Sequence, residues 1–246
     1  MRKLGLLGKN ISYSFSRAYF KKKFEDEKID NISYENFDIE TIELFPSKVK
    51  NIDNLKGFNV TIPYKEAIIP YLDLLDDNAK EIGAVNTIKI TNQNKLIGYN
   101  TDYYGFTESL KPFLKPHHKK ALILGTGGAS KAVAYSLKEL DIAYYFVSRT
   151  KKDGIDLTYE TLTEDIIRQY QIIINCSPVG TFPNVEACPD IPYKALTNGH
   201  ILYDLIYNPE ETTFLKLGKQ QGAITINGLE MLKLQAEKAW SIWNLS

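Results

Sequence analysis

The residues with the most readable chemistry in this 246-residue chain are Gly125-Thr126-Gly127-Gly128-Ala129-Ser130. They follow a strand-like run, Ala121–Leu124, and open a helical pattern, Ala129–Leu140, which is the setting a dinucleotide fingerprint needs. Glycine at 125 permits a tight turn, and glycine at 127 lets a pyrophosphate approach the backbone. Amide donors and the helix dipole then stabilise the anion. Ser130 fills the third fingerprint position and is small but not glycine, so an ordinary glycine-rich strand–helix turn also fits. The next strand-like run, Ala143–Ser148, ends in Ser148-Arg149-Thr150-Lys151-Lys152, with no carboxylate before Asp153. An NAD enzyme usually places an acid here to accept from the adenine ribose 2′-hydroxyl. Arg149 instead suits a 2′-phosphate by bidentate hydrogen bonding, and Thr150 adds a hydroxyl donor. A surface arginine at a strand end is common by itself; combined with the turn upstream it favours NADP.

The first half carries polar residues where bland core or loop would have served. Ser14 and Ser16 alternate around Phe15, so an extended backbone would present both hydroxyls in one direction. Taken singly each reads better as a helix cap, Ser16 above all, because it directly precedes a helical pattern. Asn59-Val60-Thr61 closes a strand, and Pro63 forces a turn before Lys65. This reading puts Lys65 in the first turn of a helix, where the dipole disfavours a positive charge and suits the amine to proton transfer. Asn86 follows Gly83-Ala84-Val85. Asp102 follows Asn100-Thr101 and reads, alone, as an N-cap. Gln235 interrupts the last helical pattern and is either a partly exposed polar residue or a ligand contact.

The elements that must position these groups alternate strand and helix along the chain, which specifies an α/β fold with mostly parallel pairing. Strands are expected at Lys3–Leu7, Ser33–Ile39, Gly57–Ile62, Gln171–Asn175, Ile201–Leu205 and Ala223–Ile226, with a hairpin from Asn86–Thr91 and Lys95–Tyr99. Helices are expected at Ser16–Ile29, near Thr41–Lys50, around Tyr64–Leu75, at Asp77–Ile82 and at Leu229–Trp243, where Leu232, Ala236, Ala239 and Trp243 recur at core spacing. A composition break at Lys111–Lys120 reads as an interdomain linker region. Lys+Arg and Asp+Glu balance at 30 each, so no bulk basic field recruits nucleic acid or an acidic membrane surface. Cys176 and Cys188 are too far apart in sequence for a disulfide framework or zinc site, and His117, His118 and His200 lack metal-ligand spacing. The apolar stretch at the N-terminus is broken by Gly5, Gly8 and Lys9, and no run elsewhere has the length to span a bilayer. The expectation is a cytoplasmic protein with no metal, acting on a small molecule.

Taken together, Ser14-Phe15-Ser16, Gly57-Phe58-Asn59-Val60-Thr61-Ile62-Pro63-Tyr64-Lys65, Gly83-Ala84-Val85-Asn86-Thr87 and Gly98-Tyr99-Asn100-Thr101-Asp102 resemble, in order, the shikimate dehydrogenase family. Asn175-Cys176-Ser177-Pro178-Val179-Gly180, Tyr203-Asp204-Leu205-Ile206-Tyr207-Asn208-Pro209 and Gly228-Leu229-Glu230-Met231-Leu232-Lys233-Leu234-Gln235-Ala236 continue the resemblance to the end of the chain. It implies a substrate-binding domain over residues 1–102, joined by a returning C-terminal helix over 229–246, and a Rossmann-like NADP-binding domain over 103–228. It further implies that Lys65 and Asp102 form the catalytic pair and that Ser14 and Ser16 hold the substrate carboxylate. Thr61, Asn86 and Gln235 would bond ring hydroxyls, with Tyr207 near the carboxylate. Gly125, Gly127, Gly128, Ala129 and Ser130, with Ser148, Arg149 and Thr150, would bind NADP. The implied reaction is the reversible reduction of 3-dehydroshikimate to shikimate, by a monomer or homodimer. A quinate/shikimate or shikimate-like paralogue is the alternative within the class; serine at both 14 and 16 favours shikimate, since quinate-using relatives often carry threonine at the second position. A dinucleotide-binding sensor without turnover is the alternative outside it, and the retention of Lys65, Asp102, Asn86 and Gln235 speaks against that. Departures from the family pattern are Tyr13 and Arg17 around the serines, Ser148 before the arginine, Cys176, and a short Lys151–Glu160 segment.

Overall fold

A computed structural model describes residues 1–12, 14–151 and 154–245. The departure at Tyr13, and Lys152 and Asp153 beyond Arg149, therefore lie outside the described residues. The chain divides into two compact units, Met1–Thr101 with Ala236–Ser246, and Asp102–Gln235.

In the first unit, strands β1 (Arg2–Gly8), β2 (Ile32–Asp38), β3 (Gly57–Val60), β4 (Leu74–Leu75), β5 (Thr87–Ile90) and β6 (Leu96–Tyr99) form one mixed sheet in the order β2-β1-β3-β5-β6-β4. β1 lies inside the sheet and is apolar on both faces, as a strand covered on both sides must be. Leu4 and Leu6 face a core made with Phe20, Phe24, Tyr34, Ala239 and Trp243. Leu7, one residue on and so on the opposite face, joins Phe45, Phe58, Ile68 and Ile88. Helix α1 (Phe15–Asp26) buries Phe20 and Phe24, one turn apart, in the first of these cores; α2 (Asp77–Ile82) buries Ala79 and Ile82.

Two expected helices do not form as such. Thr41–Lys50 folds as a 3-10 turn, Ile42–Leu44, followed by a π turn, Pro46–Lys50. Tyr64–Leu75 folds as turns, a 3-10 segment Ile69–Tyr71 and β4. Pro46, Pro63 and Pro70 supply no N–H and bias the residue before each away from the helical region. The ladder is also diverted: the Lys65 carbonyl accepts from Val85 N at 2.7 Å, while Ile69 N turns to Glu66 O.

The second unit opens with α3 (Asp102–Leu110) and contains β7 (Lys120–Leu124), α4 (Gly128–Glu139), β8 (Ala143–Ser148), β9 (Leu157–Thr158), α5 (Glu164–Gln169), β10 (Ile172–Asn175), β11 (Ile201–Asp204), α6 (Thr213–Gln220) and β12 (Ile224–Ile226). Its strands are parallel throughout, in the order β12-β11-β10-β7-β8-β9. Ala121 and Ile123 of β7 face one core and Leu122 and Leu124 the other, so the unbroken apolar run reflects helices on both faces. The Lys111–Lys120 stretch, read as a linker, lies inside this unit. There His118 Nδ1 accepts from Lys115 N, and the His117 and His118 rings reach Gly199 O, so these histidines tie down a loop. The last helix, α7 (Leu229–Asn244), is shared by sequence: its residues up to Gln235 belong to the second unit and those from Ala236 to the first. Ala236, Ala239 and Trp243 are buried as the spacing requires, but Met231, rather than Leu232, is the buried residue of its early turns.

Candidate active site

β1 and β3 run parallel and β5 antiparallel to β3, so the ends of β1 and β3 and the start of β5 share one edge of the first sheet. Thr61 leaves β3 with its amide on Leu7 O at 2.9 Å. Tyr64 N then returns to Thr61 O, and the Lys65 carbonyl meets Val85 N, so Thr61, Lys65 and Asn86 lie on backbones hydrogen-bonded to one another. Lys65 is half-buried and sits in a turn. The helix-dipole argument for its chemistry therefore falls, because no α-helix begins there. Asn86 is buried: its Oδ1 accepts from Thr101 N at 2.7 Å, and its Nδ2 donates to Thr101 Oγ1 at 3.0 Å.

The serine reading also changes. Ser14 is the cap of α1, its Oγ accepting from Arg17 N at 3.4 Å, whereas Ser16 is already the second helical residue. Their hydroxyls are thus not aligned by strand alternation; both are half-buried at the start of α1. Ser16 lies near enough to the Tyr34 phenol to act on it, and burial raises the pKa of that phenol far above its ordinary value.

In the second unit Asp102 is the first residue of α3 rather than its cap, and it is almost wholly buried. One turn along, Gly105 lets α3 approach α7: a Cβ there would meet Met231 O at 2.5 Å and the Gln235 backbone at 3.2 Å. This close approach brings the start of α3 beside half-buried Gln235, and glycine within a helical pattern was its sequence signal. Tyr207 follows β11, half-buried, and burial raises its pKa.

The glycine turn connects β7 to α4. Gly125 has φ +109°, and a Cβ on it would meet the Cys176–Ser177 backbone at 3.3 Å, so conformation and space both demand glycine. Gly127 caps α4, with open space where a Cβ would stand. Among the described residues no side chain caps that helix start. Gly128 and Ala129 make up its first residues, and Ser130 closes the turn through Oγ on Gly127 O at 2.6 Å. Gly125 N donates to Val147 O, which sets the turn beside the end of β8, where exposed Arg149 and Thr150 follow Ser148. Ser148 Oγ holds the Thr150 carbonyl, and Arg149 lies near enough to Tyr159 to act on its phenol. Beyond the turn, Asp204 is buried at the end of β11. Its Oδ1 accepts from Asn175 Nδ2 and Ile206 N, and its Oδ2 from Thr212 Oγ1 at 2.6 Å. Asn175 in turn holds Ser177. Sequence reasoning assigned Asp204 and Asn175 no role, because what distinguishes them is burial.

A parallel sheet whose strands run 3-2-1-4-5-6, with a glycine turn after the first strand at the point where the order reverses, is the dinucleotide-binding fold of the Rossmann type. The particular family follows from comparison with known proteins. Residues 6–88 match the model of the shikimate dehydrogenase substrate binding domain. The chain is 40% identical to a shikimate dehydrogenase (NADP(+)) of Methanococcus vannielii over 98% of its length and 90% of the relative's. Among solved structures it is similar to shikimate dehydrogenase 1 of Peptoclostridium difficile (41% identity, TM-score 0.83, covering 99% and 91% of the two chains). It is similar also to the shikimate 5-dehydrogenase of Thermus thermophilus in complex with NADP(H) and shikimate (31%, TM-score 0.87, 99% and 94%). The chain belongs to the shikimate dehydrogenase family.

Proposed function

We propose that this chain is an NADP-dependent shikimate dehydrogenase, an oxidoreductase that interconverts 3-dehydroshikimate and shikimate. The near-full-length relationship to proteins of that name carries the reading. The site geometry agrees with it. In the second unit the residues suit the cofactor: the turn at Gly125 requires glycine, no side chain among the described residues caps the start of α4, and Arg149 and Thr150 would bond a 2′-phosphate. When bound, NADP(H) supplies or accepts the hydride.

The chain's own residues then manage orientation and the proton. Ser14 and Ser16 hold the ring carboxylate, with Tyr207 adding a contact near it. Thr61, Asn86 and Gln235 fix the ring through its hydroxyls, so that one carbon is presented for reduction. Lys65 donates the proton to the ketone oxygen in the reducing direction and takes it back in oxidation, while Asp102 orients the lysine and binds a neighbouring hydroxyl. The domain roles follow: substrate on 1–102 with 229–246, cofactor on 103–228. A cytoplasmic location, and a monomer or homodimer, complete the reading. Absorbance at the NADPH band during shikimate oxidation tests it, with NADP and NAD in parallel and quinate as control. NADP-preferring turnover on shikimate is expected; a folded, NADP-binding protein silent on shikimate would reject it.

A further inference from the structure

We infer that Thr87, backed by Asn59 and Tyr34, is a positioning residue that sets the amide of Asn86 and links it to the Tyr34 hydroxyl beside Ser16. The inference rests on reading Asn86 and Ser16 as substrate contacts. Thr87 is wholly buried on β5, opposite Asn59 on β3 in the sheet register. Asn59 Nδ2 donates to Thr87 Oγ1 at 3.0 Å, which makes that hydroxyl an acceptor there and turns its single proton away. The proton has two acceptors within reach, Asn86 Oδ1 at 3.1 Å and Thr101 Oγ1 at 3.3 Å. Asn86 Oδ1 also receives Thr101 N, so a flipped Asn86 amide would set an NH2 group against a backbone N–H. On the other side, Asn59 Oδ1 accepts from the Tyr34 hydroxyl at 2.8 Å, and Ser16 lies near enough to that hydroxyl to act on it. A hydrogen-bonded run from Tyr34 through Asn59 and Thr87 to Asn86 thus leads from beside the seat of the carboxylate to the contact with a ring hydroxyl. Asn59 keeps a second bond, to Asn86 O at 3.2 Å, so removing the Thr87 hydroxyl leaves the strand pairing in place and takes one donor from Asn86 Oδ1, while Thr101 still holds the amide.

The test compares Thr87→Val, which keeps shape and loses the hydroxyl, with Thr87→Ser, which keeps the hydroxyl, both as full chains. Thr87→Val is expected to raise KM for shikimate about tenfold, the worth of one well-placed hydrogen bond, while KM for NADP stays within about twofold. Thr87→Ser should return KM for shikimate to within about threefold of the parent. Tyr34→Phe should raise it less, and the double variant should fall short of the product of the two, as linked groups do. A lower melting temperature with KM for shikimate unchanged, parallel rises in both KM values, or a serine variant as impaired as the valine one would each overturn the inference. A parent protein silent on shikimate would sink the functional reading itself, and the inference with it.

Discussion

Lys65 owes its place to a backbone bond rather than to a helix: Val85 N holds its carbonyl beside Asn86. Replacing the side chain leaves that bond alone, so Lys65→Ala is expected to fold normally. It should lower kcat by roughly two or more orders of magnitude, the span of lost acid–base help. Steady-state turnover close to the parent's would remove the lysine from the proton path. Arg149 is exposed after β8. Arg149→Asp should therefore raise KM for NADP roughly tenfold or more through lost charge-assisted bonds, and leave KM for shikimate near its parent value. Equal effects on both would count against a phosphate contact. Asp204 makes a different kind of prediction. Burial pushes its carboxyl up from 3.8 to about 6, against bonds from Thr212, Ile206 N and Asn175 that favour the charged form. Because the folded state then binds the proton more tightly than the unfolded one, this group's stability is lost as pH rises from about 4 to 6. The cost above that window is at most about 3 kcal/mol. Asp204→Asn lacks the ionisation, so its stability relative to the parent should improve across that window in denaturant melts. Identical pH slopes for the two proteins would show that the carboxylate is not destabilised by burial.

At the scale of elements, the glycine turn and the α3–α7 seam each depend on one missing Cβ. Gly125→Ala would have to hold φ +109° and push on the Cys176–Ser177 backbone. A rise in KM for NADP with substrate binding spared is the expected result. Most strands were legible because their apolar runs are short and bounded, and the hairpin because Asn92-Gln93-Asn94 separates two such runs. The helices expected at Thr41–Lys50 and Tyr64–Leu75 were misread because apolar spacing suggested a helix while proline and a distant amide, Val85 N, decided the backbone. Caps were off by small steps for a related reason: serine and aspartate are good caps at any nearby position, and the helix starts are chosen by packing. Hence Ser14 rather than Ser16 caps α1, and Asp102 begins α3 from inside.

For the whole molecule, the two units hold separate cores, and residues at the far end of the chain complete the first of them. Trp243 is buried against Phe20 at 5.4 Å between ring centres, and its indole N–H donates to Ile88 O at 2.9 Å. Trp243→Ala should destabilise this core by about 3–5 kcal/mol, the usual cost of deleting a buried aromatic. Hydrogen exchange should show β1, β3 and β5 losing protection while β7, β10 and β11 keep theirs; uniform loss would mean that the two cores open together. The sequence alone determined the α/β class, the glycine turn with its basic strand end, and the family, because these rest on residue types at short spacings that a local reading can hold. Tertiary structure alone decided that residues after Gln235 complete the first core, that Lys65 sits by Asn86 without a helix, and that Thr87 and Asp204 are buried hydrogen-bonded centres. Burial and long-range pairing depend on which distant segments meet, and no spacing along the chain records that.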